Sequence, residues 1–455
     1  MDVTYETCAE IVTEVLQKRN SVRSCVYNSK LSNKRLLLRL CCETLAHYQV
    51  LHRIATESGL LKEAEFKKHP SLAECLLYEH LFGQSAGNVK CSKVRLKLLR
   101  RRGQGIQLAV QGAMAEGLLT AEKQLVAKTT YTKEGGREII ELPRYARVNT
   151  LLTSIEDMHS LLEQELWSLQ SVVGQKRKTF RKAVFSLADN ECLLDADFED
   201  VLVFPAGSQL HDWAPCSSGQ LVLQDKSSCL ATRCLFPRPG AVVLDACAAP
   251  GMKTAHLAAL MQNKGKIIAV ERNGERYRTM AEILAKLGAD QITQMIHGDV
   301  LKMNVQDALY KKVEYALVDP PCSGSGIVKR LDHLVDPQTD ATTPIDQSLL
   351  KRLNSLGNIQ AVILKHVLTL PRLRRVVYST CSVYERENEA VIQEILASQT
   401  RFKPVEPDFA RLGFGKAWRH RGLSSYDFGH LCLRASPNKD LTNGFFVCVL
   451  EACDN

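Results

Sequence analysis

The chain has no run of some 18 apolar residues, so no membrane-spanning helix is expected and no membrane partner. It has no CxxC pair and no HExxH. The closest cysteine spacings, Cys41 beside Cys42, Cys229 with Cys234 and Cys448 with Cys453, fit no zinc pattern, so no structural metal is expected. Neither GxGxxG nor GxxxxGK[ST] occurs, which leaves a dinucleotide fingerprint and a P-loop unsupported. The opening residues, Met1 to Glu6, have neither a basic start nor an apolar core and do not read as a secretory signal. The 16 cysteines are therefore expected in a reducing compartment, without disulfides.

What remains is an ordinary globular composition. The 455 residues suggest two or three domains, and an apolar fraction of 45% is enough for a large core. A net charge of +9 mildly favours a polyanionic partner. Residues 1 to 125 read as a helical domain: Ile11, Val12, Val15 and Leu16 share a face, and the same spacing recurs over Leu36 to Leu51 and Leu72 to Phe82. Within it, Lys90 to Arg102 carries a basic cluster with no acid between, either a solvated helix face or a phosphate-contact surface. Residues 126 to 143 read as a linker or exposed hairpin.

Residues 144 to 214 alternate short strands with a helix and suggest a small α+β module. Arg144 to Asn149, Val184 to Leu187 and Val201 to Phe204 look strand-like. Ser154 with Asp157 looks like a helix N-cap box, followed by a stripe of Met158, Leu161, Leu162, Leu166 and Leu169. A second basic cluster spans Lys176 to Lys182. From 215 to 455 the pattern becomes long α/β alternation, a doubly wound sheet. Strands are expected to end at Asp245, Glu271, Gly298-Asp299, Asp319 and Cys381, with a polar loop from 329 to 346 and a helix over 347 to 370 broken at Gly357.

Turns after the carboxyl ends of strands form the ligand crevice of an open α/β sheet. Three such turns carry the chemistry. Asp245-Ala246-Cys247-Ala248-Ala249-Pro250-Gly251-Met252-Lys253-Thr254 runs from a buried strand through small residues, which permit close ligand approach, into a helix. Asp319-Pro320-Pro321-Cys322-Ser323-Gly324 and Tyr378-Ser379-Thr380-Cys381-Ser382 each end an apolar run and could turn two cysteines toward one substrate, although a free cysteine alone is as often a small core residue. Glu271 is placed to accept the hydroxyls of a ribose. Asp299 and Asp319, at equivalent strand ends, could each bind an adenine amino group or a substrate base, and Asp299 could equally cap a turn. Ser382 to Glu385 fits a capping box, which would set Cys381 at a helix N-terminus and favour its thiolate. Cys322 sits beside Gly324 and Gly326, in what reads as flexible backbone.

Together these motifs resemble the signature set of the Sun-domain RNA cytosine-C5 methyltransferases. Arg147-Val148-Asn149-Thr150 and Leu223 to Ser228 are similar to the family's preceding region. Val26-Tyr27-Asn28-Ser29, Leu77-Tyr78-Glu79 and His430 to Pro437 resemble its fifth-type, large-subunit ribosomal-RNA branch. The resemblance implies a Rossmann-like methyltransferase domain preceded by a ferredoxin-like RNA-contacting module. It implies S-adenosyl-L-methionine held by Cys247, Ala248, Ala249, Pro250, Gly251, Met252, Lys253, Glu271, Arg276 and Asp319, with Asp299 near the adenine. Cys381 would be the nucleophile, Cys322 would assist release, and Asp319 would act on the base edge. The implied partner is large-subunit rRNA or a pre-ribosomal particle, the implied location the nucleolus of the nucleus, and a monomer is favoured.

The residues leave other readings open. An amino-group methyltransferase would also use an Asp-Pro-Pro turn, but would favour an aromatic residue where Cys322 stands. An inactive RNA-binding scaffold would keep the basic clusters without needing two cysteines, Lys253 and Glu271. A nicotinamide oxidoreductase would need the missing glycine fingerprint.

Overall fold

The computed structural model describes residues 2–17, 22, 25–26, 29–83, 91–119, 141–174, 176–328, 347–409 and 418–453. The hairpin or linker expected at 126 to 143 lies almost wholly outside them, and so do the 329 to 346 loop and Lys90. The chain divides into two compact units, one of N-terminal helices and one formed mainly by the residues after Ile139. Among the described residues no helix is long and apolar enough to cross a membrane, and no group of three or more His, Cys, Asp or Glu is arranged to hold a metal.

The helical unit contains Asp2–Leu16, Lys34–Ala46, Tyr48–Glu57, Pro70–Leu81, Lys93–Arg101 and Gly103–Ala115, with shorter turns between. The single helix expected over Leu36 to Leu51 is two. His47 ends the first, its backbone N–H and ring both meeting the Glu43 carbonyl. The basic cluster also differs from its reading as acid-free. Arg95 is buried among Asp2, Glu6 and Glu65, and Arg101 and Arg102 both pair with Glu63. Among the described residues of the cluster, Lys93, Lys97 and Arg100 remain as an exposed stripe at helical spacing. Arg95→Ala should therefore destabilise this unit by roughly 1–3 kcal/mol, through three lost ion pairs whose carboxylates are 37–48% exposed and through the lost packing of the buried arginine stem. A denaturant titration giving less than about 1 kcal/mol would show that the arginine only decorates the surface.

The second unit begins with a five-stranded sheet, ordered β2-β3-β4-β1-β5. Its strands are β1 (Arg144–Val148), β2 (Ser168–Gln170), β3 (Glu191–Leu194), β4 (Val201–Phe204) and β5 (Leu221–Leu223). The Ser154 cap forms as expected, its side chain accepting from the Asp157 N–H. That helix stops at Gln164, however; Leu166 is 82% exposed with φ of 62°, and Leu169 lies in β2. Val184 to Phe185 close a helix, Arg177–Phe185, rather than a strand, because Phe180 and Val184 bury one helical face. This helix carries the second basic cluster.

An eight-stranded sheet follows, ordered β11-β13-β10-β9-β6-β7-β8, with β12 paired to β13 off that path. Its strands are β6 (Val242–Asp245), β7 (Lys266–Glu271), β8 (Thr293–His297), β9 (Tyr315–Val318), β10 (Arg375–Thr380), β11 (Phe402–Val405), β12 (Leu433–Ala435) and β13 (Phe445–Ala452). The run from β10 to β8 is parallel, and β13 is antiparallel to β10. The chain steps from β6 to β7 and β8 on one side, then returns to β9 and β10 on the other. The strand order thus reverses between β6 and β9, the place where such sheets open a ligand crevice. The helix Gln347–Leu368 covers one face without the break expected at Gly357. A Cβ at Gly357 would lie 2.7 Å from the Arg386 carbonyl oxygen, so this glycine serves a close approach and not a kink.

The small sheet is docked firmly on the large one. Lys226 is buried between Asp195 and Asp197 at 2.7 and 2.6 Å. Asn149 Nδ2 donates to the Gly219 and Leu287 carbonyls, and the Tyr145 hydroxyl donates to Leu441 O at 2.9 Å.

Candidate active site

Strand β6 delivers Asp245 into the crevice. Thr254 Oγ1 donates to its Oδ2 at 2.7 Å, yet burial dominates and pushes the carboxyl up to about 7. An acid raised in this way stays protonated in the folded protein below that pH, while the unfolded chain releases its proton near pH 4. Stability should therefore fall as pH rises from about 4 to about 7 and level off above, by on the order of 4 kcal/mol at most. Asp245→Asn should flatten that slope. Identical pH–melting curves for the two proteins would show that Asp245 is not the group responsible.

The turn after β6 is pinned from several sides. The Ala248 N–H donates to Val270 O at 3.0 Å, and the Ala249–Pro250 peptide is cis. Gly251 starts the helix Met252–Leu260 at φ 101°, a conformation that favours glycine, and a Cβ there would press on Met280 and Leu284 at 3.2–3.3 Å. Cys247 lies in the turn, its thiol raised by burial. Glu271, at the end of β7, is buried; its Oε1 accepts from the Asn273 N–H at 2.8 Å and its Oε2 lies 3.4 Å from Arg276. Arg276 also donates to the Ala249 carbonyl, tying Glu271 to the turn. Asp299 follows β8, and its Oδ1 caps the Leu301 N–H at 3.0 Å, the turn-capping use. A small-residue cradle with a buried carboxylate at its far wall suits a nucleoside with a ribose diol. The residues present therefore fit S-adenosylmethionine.

The paired cysteines arise from neighbouring parallel strands, β9 and β10, whose following turns lie side by side. Cys322 Sγ and Cys381 Sγ are 3.1 Å apart. Beside them, Lys253 Nζ donates to Asp319 Oδ2 at 2.8 Å and Ser379 Oγ donates to Asp319 Oδ1 at 2.7 Å. Burial disfavours the Lys253 ammonium, but Asp319, Cys381 and Asp245 outweigh it and hold the amine charged. The hydrogen bond to Cys381, followed by burial, pushes the Cys322 thiol well above its ordinary range. The contact and the burial together favour the protonated form of Cys322.

Two sequence expectations fail here. The capping box does not form: the helix begins only at Glu389, after a 3-10 turn at Glu385–Glu387, and its N-cap Asn388 makes no side-chain cap. Asn388 instead accepts from Thr380 Oγ1 and donates to Ser382 O, so Lys253 and not a helix terminus supplies the positive field near Cys381. The backbone beside Cys322 is also tight rather than flexible. Gly326 N–H donates to Cys381 O at 2.8 Å, and a Cβ on Gly326 would overlap the Gly444 carbonyl.

Sequence reasoning missed Glu387. It is fully buried, and its carboxylate accepts from Ser323 N–H, Ser323 Oγ, Ser382 Oγ and Gln360 Nε2. Gln360 Nε2 also donates to Pro321 O at 2.9 Å. One side chain thereby ties the Cys322 turn to the Cys381 turn. The signal present in the sequence was a second acid in the Glu385-Arg386-Glu387 run, two positions beyond the one assigned to the capping box.

Comparison with known proteins agrees with this geometry. Residues 232–451 match the 16S rRNA methyltransferase RsmB/F family model. Residues 142–224 and 35–112 match the ferredoxin-like and N-terminal domains of NOL1/NOP2/Sun domain family member 5. A 26S rRNA (cytosine-C5)-methyltransferase of Caenorhabditis elegans is 39% identical over 99% of this chain and 98% of its own length. A 28S rRNA (cytosine-C5)-methyltransferase of Mus musculus is 35% identical over 99% and 91%. The crystal structure of a methyltransferase homologue from Pyrococcus horikoshii shares the fold, with a TM-score of 0.51 and 23% identity over 80% of this chain and 100% of that one. The chain belongs to the Sun-domain RNA cytosine-C5 methyltransferase family, in the branch of NOL1/NOP2/Sun domain family member 5.

Proposed function

We propose that this protein methylates carbon 5 of a cytosine in large-subunit rRNA through a covalent Cys381 adduct. The observation that carries the reading is the pair of thiols 3.1 Å apart beside the Lys253–Asp319 ion pair. Carbon 5 of cytosine is a poor nucleophile. Addition of the Cys381 thiolate to carbon 6 makes carbon 5 electron-rich, which divides one hard step into easier ones. S-adenosylmethionine supplies the methyl group as an electrophile. Asp319, fixed by Lys253 and Ser379, accepts from the cytosine amino group, and the Lys253 ammonium steadies negative charge as it builds on the ring. The carbon-5 proton then passes to solvent, its bonding electrons re-form the carbon 5–carbon 6 double bond, the carbon 6–sulfur bond breaks, and Cys381 is restored as the thiolate. Cys322, in contact with Cys381, assists that release. The base must be unstacked for this chemistry, as in other enzymes that act on bases.

The substrate assignment follows the relatives named as 26S and 28S rRNA enzymes, and it supports a nucleolar location as part of this reading. Mapping 5-methylcytosine in large-subunit rRNA with and without the protein tests it. One cytosine should lose its methyl group; an unchanged map would end the rRNA assignment. An amino-group methyltransferase would want an aromatic face at the position of Cys322, and the thiol contact favours the carbon-5 reaction instead.

For the cofactor, Glu271→Ala should weaken S-adenosylmethionine binding by roughly 1–3 kcal/mol, the cost of losing a charge-assisted hydrogen bond at a buried carboxylate. Calorimetry returning an unchanged affinity would remove Glu271 from the site.

A further inference from the structure

A second charged feature lies outside the crevice. The helix Arg177–Phe185 faces the segments around Arg419 and Lys439, and two adjoining clefts of about 360 and 350 Å³ open between them. They share Arg177, Lys439 and Asp440 as walls. Around them stand Arg177, Lys178, Arg181, Arg419, Arg421 and Lys439. The acids in the walls, Asp197 and Asp440, are buried and already engaged: Asp440 accepts from the His420 ring at 2.9 Å and from Arg177 at 3.2 Å, and Asp197 pairs with Lys226 at 2.6 Å. Lys178, Arg419 and Lys439 are exposed. The groove therefore presents cations to solvent over a floor whose negative charge is neutralised.

Its position is set by the chain itself. From Lys439 the backbone reaches Gly444, which donates to Gly326 O at 2.7 Å beside the Cys322 turn, and then Phe445, whose ring lies 5.3 Å from Lys253 Nζ. Thr442 and Asn443 on the way are fastened to Asp225. Five residues span at most roughly 18 Å. The groove thus lies close to the catalytic crevice on a rigid strap.

We propose that this groove, shared by the small module and the C-terminal segment, binds backbone phosphates of the single strand that carries the target cytosine. The inference rests on the reading of this protein as an RNA methyltransferase. Cations that contact phosphates fix register and orientation without reading sequence, and single-strand binding tracks a positively charged groove. Phosphates held here would leave the flanking nucleotides to turn toward Cys381.

The test uses the full chain and a single-stranded RNA containing the methylated cytosine and its neighbours. Lys178→Glu combined with Lys439→Glu should raise Kd at least tenfold at ~0.1 M salt, and should lower the slope of log Kd against log salt by about 1.4 if two phosphate contacts are lost at about 0.7 each. S-adenosylmethionine affinity should be unchanged, which reports an intact fold. Lys311→Glu with Lys312→Glu makes the same change of net charge on exposed residues before β9, at the amino ends of the parallel strands and so opposite the crevice, and should leave the slope alone. Equal losses in both double variants would reduce the groove to bulk charge and overturn the proposal. An unchanged slope in the groove variant would overturn it as well. A wild-type chain that neither binds nor methylates RNA would instead defeat the underlying reading of function, and this proposal with it.

Discussion

Cys381→Ala is expected to abolish methyl transfer, by on the order of 10⁴-fold or more, the scale on which loss of a nucleophile acts in covalent enzymes. Cofactor affinity should stay near that of the wild type, because the nucleophile makes no part of the Gly251 cradle or the Glu271 wall. Cys322→Ala should behave differently. It removes a thiol held protonated beside Cys381, not the attacking sulfur. Attack should survive, while elimination from the methylated base slows. The two variants therefore separate into one that never forms the covalent link and one that retains it. Single-turnover methylation followed by product-release kinetics would distinguish them. Equal loss of the methylation step in both would assign the two sulfurs a common role in attack.

The second large effect is expected at Glu387, which positions the site without touching the reacting atoms. Glu387→Ala leaves Ser323 N–H, Ser382 Oγ and Gln360 Nε2 without their buried acceptor. Each stranded polar group costs ~1–3 kcal/mol, so the variant should lose several kcal/mol of stability. Glu387→Gln keeps the shape and removes the charge; it should fold, bind cofactor normally and show kcat reduced by roughly 10–100-fold, since an ångström of misplacement between the two sulfurs is costly. A merely structural role would lower the melting temperature without moving kcat at a temperature where the protein stays folded. A Glu387→Gln enzyme with the wild-type kcat would therefore remove Glu387 from the positioning of the cysteines.

The crevice was legible because its logic is local. A strand that ends in Asp245, Glu271 or Asp319 announces itself by an apolar run and a polar turn, and the order of those strands places their ends at the point where the sheet reverses. The two cysteines could be set together because each follows such a strand. What escaped were contacts made across sequence. The cluster from Lys90 to Arg102 looks free of acids in one dimension, yet Asp2, Glu6, Glu63 and Glu65 come from distant parts of the chain to meet Arg95, Arg101 and Arg102. Ser382 and Glu385 have the spacing of a capping box, but Ser382 is drawn to the buried Glu387, whose other donors come from Ser323 and Gln360. Arg419 and Arg421 are separated from Lys439 by a stretch that also holds Asp427 and Arg434, and they acquire meaning together only where the Arg177–Phe185 helix lies opposite them. Val184 looked strand-like because its neighbours are apolar; its pairing with Phe180 on one helical face is a tertiary choice.

The most direct test of the covalent account is a denaturing gel of Cys322→Ala incubated with substrate RNA and S-adenosylmethionine, followed by peptide mapping of any retarded band. The account predicts a protein–RNA adduct that survives denaturation, attached through Cys381, and absent from the Cys322→Ala/Cys381→Ala double variant. An adduct trapped by Cys381→Ala and not by Cys322→Ala would reverse the two roles. Methylation intact in both single variants, with no adduct in either, would contradict the covalent mechanism.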